Sequence, residues 1–101
     1  RRIGWDVFTG RYDENFANLV KNGLKEYWQI SSDKELKSYF LDENDFYSVP
    51  LPECAPLFTE DGVRFVYNEY EIAAYASGRP SFTVPYSEIG DYMMVTAKRL
   101  L

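Results

Sequence analysis

The sequence has 101 residues, of which 46% are hydrophobic and 27% charged, and its formal net charge is −5. These proportions are typical of one globular domain, and no apolar run is long enough to cross a bilayer. The chain has no histidine and a single cysteine, Cys54, which excludes the usual general base, an internal disulfide and a cysteine-rich zinc site, so we predict a non-enzyme without metal or cofactor.

The strongest periodic signal follows a short strand predicted over residues 3–8. Asp13 is a suitable N-cap, and apolar side chains then recur at helical spacing, which predicts a helix over residues 14–29. Gly23 lies on the apolar face, where it would let a strand approach closely. The helix is expected to bury six side chains against a sheet: Phe16, Leu19, Val20, Leu24, Tyr27 and Trp28.

A second, shorter helix is predicted over residues 33–41, because Ser32 and Glu35 have the spacing of a capping box. A segment with three acidic residues, 42–45, follows it. This segment lacks the glycine and the distal glutamate of a calcium-binding loop, so we interpret it as a solvated turn. The helix is expected to direct three side chains inward: Leu36, Tyr39 and Phe40.

Extended segments separated by turns fill the second half of the chain. Pro50 and Pro52 favour an irregular crossing rather than a central strand. Residues 57–59 and 63–67 flank a short polar segment whose Asp61-Gly62 pair predicts a tight hairpin. The inward strand face is predicted to hold Val63, Phe65 and Tyr67.

A third strand is predicted over residues 81–86, after a turn signal at 77–80. Residues 87–89 then start a short helical turn, with Tyr92 and Met93 packed at its end. Three side chains of the strand would share one face: Phe82, Val84 and Tyr86.

The order of elements, helices first and strands after, predicts an α+β fold. We expect an antiparallel sheet with one main amphipathic helix packed on one face. A parallel doubly wound fold would need strands that alternate with helices. The sequence also contains neither a glycine-rich phosphate loop nor a G-x-S-x-G elbow, which argues against a nucleotide site and a serine nucleophile.

Charge is distributed unevenly along the chain. Residues 42–91 carry ten acidic and two basic side chains, a net charge of −8, whereas residues 1–41 have a net charge of +1. The acidic stretch would repel phosphate backbones and anionic lipids, which argues against nucleic acid or a lipid surface as the partner. It would attract a cationic partner. The alternative is that the acidic loops only keep the domain soluble.

Three runs in the second half form a distinctive signature: LFTEDGVRFVY at 57–67, YEIAAYASG at 70–78 and FTVPYSEI at 82–89. They resemble a family of bacterial C-terminal domains of unknown function, which occurs in RsiV-type lysozyme-sensing anti-sigma factors and PdaC-type peptidoglycan deacetylases. The upstream helix and the crossing at 49–52 also fit this family. Ala74 departs from it, since the family usually has proline there.

The resemblance implies a single non-catalytic, extracytoplasmic domain over residues 1–101. The family's usual N-terminal neighbour is missing, and the start at Arg1 lacks a methionine or signal region, so we expect a fragment of a longer chain. A lipoprotein anchor or membrane helix would then lie upstream. The implied partner is a cationic protein such as lysozyme, or a cell-wall component. The alternatives are an accessory domain of a cell-wall polysaccharide deacetylase and a purely structural module; the role of Cys54 stays open.

The candidate binding residues are Tyr70, Glu71 and Tyr75, and two interpretations of them stay open. In one, the tyrosines pack over the sheet edge, and the Glu71 carboxylate accepts hydrogen bonds from backbone amides of the following turn. Gly78 then supplies a positive φ. In the other, the three side chains form part of a binding surface, because tyrosine is favoured in recognition patches.

Overall fold

The computed structural model describes residues 4–9 and 13–93. Its α-helices and strands in chain order are α1 (Glu14–Trp28), α2 (Asp33–Tyr39), β1 (Leu57–Phe58), β2 (Gly62–Val66), β3 (Ser81–Pro85) and α3 (Tyr86–Ile89), and four short 3-10 turns within these described residues lie between them or at the ends. The strands form an antiparallel meander in the order β1-β2-β3, and α1 packs on β3. The predicted α+β class is therefore confirmed.

Helix α1 confirms the longest predicted element to within one residue. It ends at Trp28 because Gln29 takes a left-handed conformation, with φ of 57°. Asp13 occupies the N-cap position, but its side chain makes no capping hydrogen bond, so this part of the prediction was wrong. The buried residues of the helix are Phe16, Val20, Gly23 and Leu24.

Three side chains of α1 are less buried than the periodicity predicted. Leu19 and Trp28 are half-buried, and Tyr27 is 39% exposed. The cause is the position of α1 over β3, which is an outer strand, so one flank of the helix extends beyond the sheet. Full burial of Tyr27 was therefore a wrong prediction.

Gly23 provides the close helix–strand approach that was predicted. A Cβ at this position would lie 2.1 Å from the nearest ring carbon of Phe82. The Phe82 ring is itself 5% exposed and stacks on Phe65, with ring centroids 5.0 Å apart. The ring therefore has little room to move away from a larger residue.

We expect Gly23→Ala to destabilise the domain, although alanine is the better helix former. The gain in helix propensity is about 1 kcal/mol, whereas overpacking a core contact costs about 1–3 kcal/mol. Urea unfolding followed by circular dichroism measures the difference. Asn18→Ala, at an exposed position of α1, is the matched control and should be neutral or stabilising. Equal stabilisation by both variants would contradict the tight contact.

Helix α2 begins as predicted and ends two residues early, at Tyr39. The Ser32 hydroxyl accepts the Glu35 N–H at 3.1 Å and donates to the Glu35 carboxylate at 3.0 Å, so only half of a capping box forms. Tyr39 is half-buried and stacks on Trp28, with ring centroids 4.6 Å apart. The other two predicted inward side chains are buried: Leu36 and Phe40.

The prediction of a strand over residues 3–8 is wrong for the described residues of this segment; residue 3 lies outside the described part of the chain. Residues 5–7 form a single 3-10 turn. This turn accompanies the burial of Trp5, which is 1% exposed. The indole Nε1–H is shared between the carbonyl oxygens of Pro52, at 3.0 Å, and Cys54, at 3.2 Å. The burial and hydrogen bonding of Trp5 therefore accompany a turn where the alternating pattern predicted a strand.

Strands β1 and β2 confirm the predicted hairpin, but its turn is built differently. The Thr59 N–H donates to the Gly62 carbonyl at 2.9 Å, and the Thr59 hydroxyl bonds both backbone groups of Gly62. The turn is therefore made by Glu60-Asp61. Gly62 has no positive φ and begins β2. A Cβ there would lie 2.2 Å from the Val84 carbonyl oxygen, so the need for glycine is steric.

Strand β3 ends one residue earlier than predicted, because Tyr86 opens α3. The Tyr86 hydroxyl donates to the Thr59 carbonyl at 2.6 Å, which ties α3 to the hairpin. Tyr92 packs edge-on against Phe16, and Met93 is buried, as predicted. The inward strand side chains are all buried: Val63, Phe65, Tyr67, Phe82 and Val84.

Candidate functional site

The segment between β2 and β3, residues 68–79, carries the three candidate residues, and we call it the tyrosine loop. It is anchored from its inner side by Ile72 and Ala73, which are 1% and 2% exposed. The Ile72 carbonyl accepts the Leu41 N–H at 2.9 Å, and Ala73 forms an antiparallel bridge with Phe40. The end of α2 therefore holds the middle of the loop.

A 3-10 turn over Tyr75–Ser77 forms the far end of the tyrosine loop. It stops at Gly78, whose φ of 78° confirms the predicted positive value. The Trp28 indole N–H donates to the Ser77 carbonyl at 2.9 Å. A Cβ on Gly78 would lie 3.0 Å from the Tyr27 hydroxyl. Trp28, which packs against the core as periodicity predicted, therefore also contacts this turn, and the largely exposed Tyr27 lies beside it.

The Glu71 carboxylate bonds two backbone amides. Its Oε1 accepts the Asn68 N–H and its Oε2 accepts the Glu53 N–H, both at 2.9 Å. The interpretation that Glu71 accepts amides of the turn that follows is wrong, because its partners lie in the preceding turn and in the crossing before β1. Both carboxylate oxygens are engaged, so Glu71 fixes the loop to the crossing.

Tyr70 has an unusual backbone conformation, with φ of 63°. It is the third residue of a turn that the Glu71 N–H closes by donating to the Asn68 carbonyl at 3.2 Å. Glycine or asparagine is usual at a turn position with positive φ. A residue held in such a conformation costs of the order of 1–3 kcal/mol, and such residues cluster at binding sites.

Tyr70 and Tyr75 stack on each other at the surface, and we call them the tyrosine pair. Their ring centroids are 5.0 Å apart and their planes are 11° apart. They are 55% and 65% exposed, so packing over the sheet edge was a wrong interpretation. The residues that line the shallow concavity beside the pair are Asn68, Glu69, Tyr75 and Arg79.

Asn68 links the loop to its surroundings through its side-chain oxygen. The half-buried Cys54 thiol donates to this oxygen at 3.4 Å. The Arg79 guanidinium approaches the same atom at 3.5 Å. Cys54 therefore contacts the first residue of the tyrosine loop, a placement that its sequence position did not indicate.

The three acidic residues of segment 42–45 form a separate cluster at a 3-10 turn over Glu43–Phe46, which Asp42 caps. Partial burial raises the pKa of Asp45, and the negative charge of Asp42 raises it further. Lys21 and Lys37 lie over the aromatic ring that ends this turn, at 4.1 Å and 5.4 Å from its centroid. Positive side chains of α1 and α2 therefore offset part of this acidic charge.

The described residues contain neither a cluster of metal ligands nor a helix that could span a membrane. Between residues 4 and 93, with 10–12 excepted, no three His, Cys, Asp or Glu side chains are placed to hold a metal ion. Across the same described ranges, every helix is too short or too polar to cross a membrane. The tyrosine pair presents two exposed aromatic faces, and such faces can attract cations and flat apolar groups.

Comparisons with known proteins place this geometry in a family. A family model described as a protein of unknown function, DUF3298, matches residues 5–87. The chain is similar to a DUF3298 family protein from Bacteroides fragilis, with 26% sequence identity and a TM-score of 0.66. The match covers 89% of this chain but only 34% of that protein. A second DUF3298 family protein, from Pseudomonas aeruginosa, is 16% identical, with a TM-score of 0.59. The match covers 90% of this chain and 39% of that protein, and it shows the fold alone. No curated protein matches the chain.

Proposed function

The chain belongs to the DUF3298 family of proteins of unknown function, and from this premise we propose that the domain is a non-catalytic module that binds a cationic protein through the tyrosine pair. The observation that carries the proposal is the pair itself: two parallel rings, each more than half exposed, on a loop with a buried inner side. Large exposed aromatic groups that are already fixed are typical anchors of protein interfaces.

Three features of the chain support a cationic partner. A lysine or arginine side chain over an exposed tyrosine ring gains about 0.5–1 kcal/mol. Glu69 lines the concavity beside Tyr75 and can pair with the same cation, although Arg79 opposes part of this attraction. The net charge of −8 over residues 42–91 would steer such a partner toward this half of the domain.

We also infer an extracytoplasmic location and name lysozyme as the partner to test. Both inferences rest on the resemblance to lysozyme-sensing anti-sigma factors. The cationic character of lysozyme agrees with the charge argument, which is independent of that resemblance.

The test is a calorimetric titration of the purified chain with hen-type lysozyme at low and at high salt. We expect saturable binding that weakens as salt is added, because the Debye length falls to about 8 Å at physiological ionic strength. A chain shown to be folded that binds no lysozyme at low salt would exclude this partner.

Tyrosine variants locate the binding surface. We expect Tyr75→Ser and Tyr70→Asn to weaken binding at least tenfold, as loss of an interface anchor does. Asparagine tolerates the positive φ at position 70, so this change tests the ring and spares the backbone. Tyr47→Ser is the matched control, because Tyr47 is 68% exposed and lies outside the tyrosine loop. An equal loss in all three variants would contradict a specific role for the pair.

A further inference from the structure

The outer edge of β3 is a second surface with binding character, and it is separate from the tyrosine pair. β3 is the last strand in the order β1-β2-β3, so no other strand of the described residues pairs with this edge. The strand is five residues long, and only its last position, Pro85, lacks a backbone N–H. Unpaired strand edges are templates for another extended segment.

The register shows which backbone groups face outward. The Tyr67 N–H donates to the Pro80 carbonyl at 2.9 Å, which marks this pair as a hydrogen-bonded position of the β2–β3 ladder. Hydrogen-bonded and non-hydrogen-bonded pairs alternate in an antiparallel ladder. Ser81 and Thr83 therefore occupy positions that direct N–H and C=O away from β2. The outer edge offers two donors and two acceptors at strand spacing.

Helix α1 forms a wall above this edge. A groove of about 330 Å³ runs between α1 and β3, and Leu19 and Gly23 lie on its helix side. Leu19 belongs to the apolar face of α1 but is only half-buried, because the sheet ends beneath it. A fourth strand in the groove would complete the burial of Leu19, as β3 does for its neighbours on α1.

The charge of the groove defines the side chains that it would accept. Its lining contains two carboxylates, Glu26 and Glu88, and no basic residue. Its other polar side chains are those of Asn22 and Thr83, which are neutral. An extended segment that carries a lysine or arginine would match this lining, whereas an acidic one would be repelled.

We propose that the groove binds an extended basic segment of a partner protein as a fourth strand, antiparallel or parallel to β3. Main-chain hydrogen bonds to Ser81 and Thr83 would supply the strand pairing, and Glu26 and Glu88 would select a basic side chain. Strand addition of this kind is a recurring mode of peptide recognition. The proposal goes beyond the function proposed above and does not depend on the tyrosine pair.

The experiment is a titration of the ¹⁵N-labelled chain with a blocked heptapeptide of alternating lysine and valine, followed by amide chemical shifts. We expect saturable shifts in residues 19–26 and 81–88, and slower hydrogen exchange of the Thr83 amide. The same peptide with every internal backbone amide N-methylated should bind at least tenfold more weakly, because neither of its edges can then donate hydrogen bonds to β3. Equal binding of the methylated peptide would overturn strand addition.

Charge variants complete the test. Glu26→Gln and Glu88→Gln should each weaken binding several-fold, and a peptide with glutamate in place of lysine should not bind. Glu60→Gln, which makes the same charge change in the exposed hairpin turn, is the matched control and should leave binding unchanged. Equal weakening by the control, or binding of the glutamate peptide, would contradict the basic selectivity. Concentration-dependent shifts of the same residues without peptide would instead assign the edge to a second copy of the chain and overturn the proposal.

Discussion

Leu24→Ala is expected to lower the free energy of unfolding by about 2–5 kcal/mol, the range for removal of a fully buried leucine side chain. Leu24 is 0% exposed and belongs to the core cluster that joins α1 to the sheet. A domain of this size has a total stability of about 5–15 kcal/mol, so the variant would lose a large part of it. Urea unfolding followed by circular dichroism measures the effect.

Leu19→Ala is the matched control for this prediction. It makes the same chemical change on the same helix, at a side chain that is only half-buried beside the edge groove. The expected loss is less than half of that for Leu24→Ala, because less apolar surface is transferred to water. Equal losses in the two variants would contradict the position of α1 over β3.

Trp5→Ala is expected to cost about 3–5 kcal/mol, the range for truncating a buried aromatic residue. Trp5 is 1% exposed, and its ring centroid lies 4.7 Å from that of Phe65. Its indole N–H also satisfies carbonyl oxygens of the crossing before β1. The change would remove both the packing and the link between the start of the described chain and this crossing.

Trp5→Phe separates these two contributions and keeps the test quantitative if Trp5→Ala does not fold. Phenylalanine retains much of the ring packing but leaves the buried Pro52 carbonyl without its donor, which costs about 1–3 kcal/mol. Trp28→Phe removes a similar bond, to the Ser77 carbonyl, at a half-buried site that water can reach. Its expected cost is smaller. A Trp5→Phe variant as stable as the parent would contradict the hydrogen bond.

The elements that could be predicted from the sequence are those whose periodicity and packing agree. Helix α1 repeats its apolar residues over four turns, and the strand faces alternate regularly, so local spacing was sufficient to identify both. Gly23 could be interpreted correctly because a glycine on an apolar helix face, where a larger side chain would bury more surface, indicates a close contact with a neighbouring element. The fold class followed from the order of these elements.

The features that were missed depend on contacts between distant parts of the chain. Trp5 bonds carbonyl groups 47 and 49 residues away, and these partners leave no trace in the local pattern of residues 3–8. Glu71 bonds an amide 18 residues earlier in the chain. The exposure of Tyr27 depends on which strand lies beneath α1, which periodicity alone does not specify.

The geometry of the candidate residues could not be predicted from the sequence, and their binding role stays a prediction. Tyr70 and Tyr75 were named together because of their spacing around Glu71. The two rings stack while Tyr70 has a positive φ, a conformation that residue preferences assign to glycine or asparagine. One of the two interpretations of the sequence was a packed tyrosine pair, whereas both rings are exposed in the structure. The conformation at such a site is determined by its surroundings, in this case by the bonds of Glu71.

The bonds that hold the tyrosine loop also bear on the entropy and kinetics of binding. Ordering a flexible side chain at an interface costs about 0.5–1.5 kcal/mol, and ordering a loop costs more. Here the loop backbone is already fixed by Ile72 and Glu71, and each ring of the tyrosine pair is restrained by the other. A partner would meet a rigid patch and would not have to wait for a rearrangement. Differences in affinity among partners should then arise mainly from how slowly each complex dissociates.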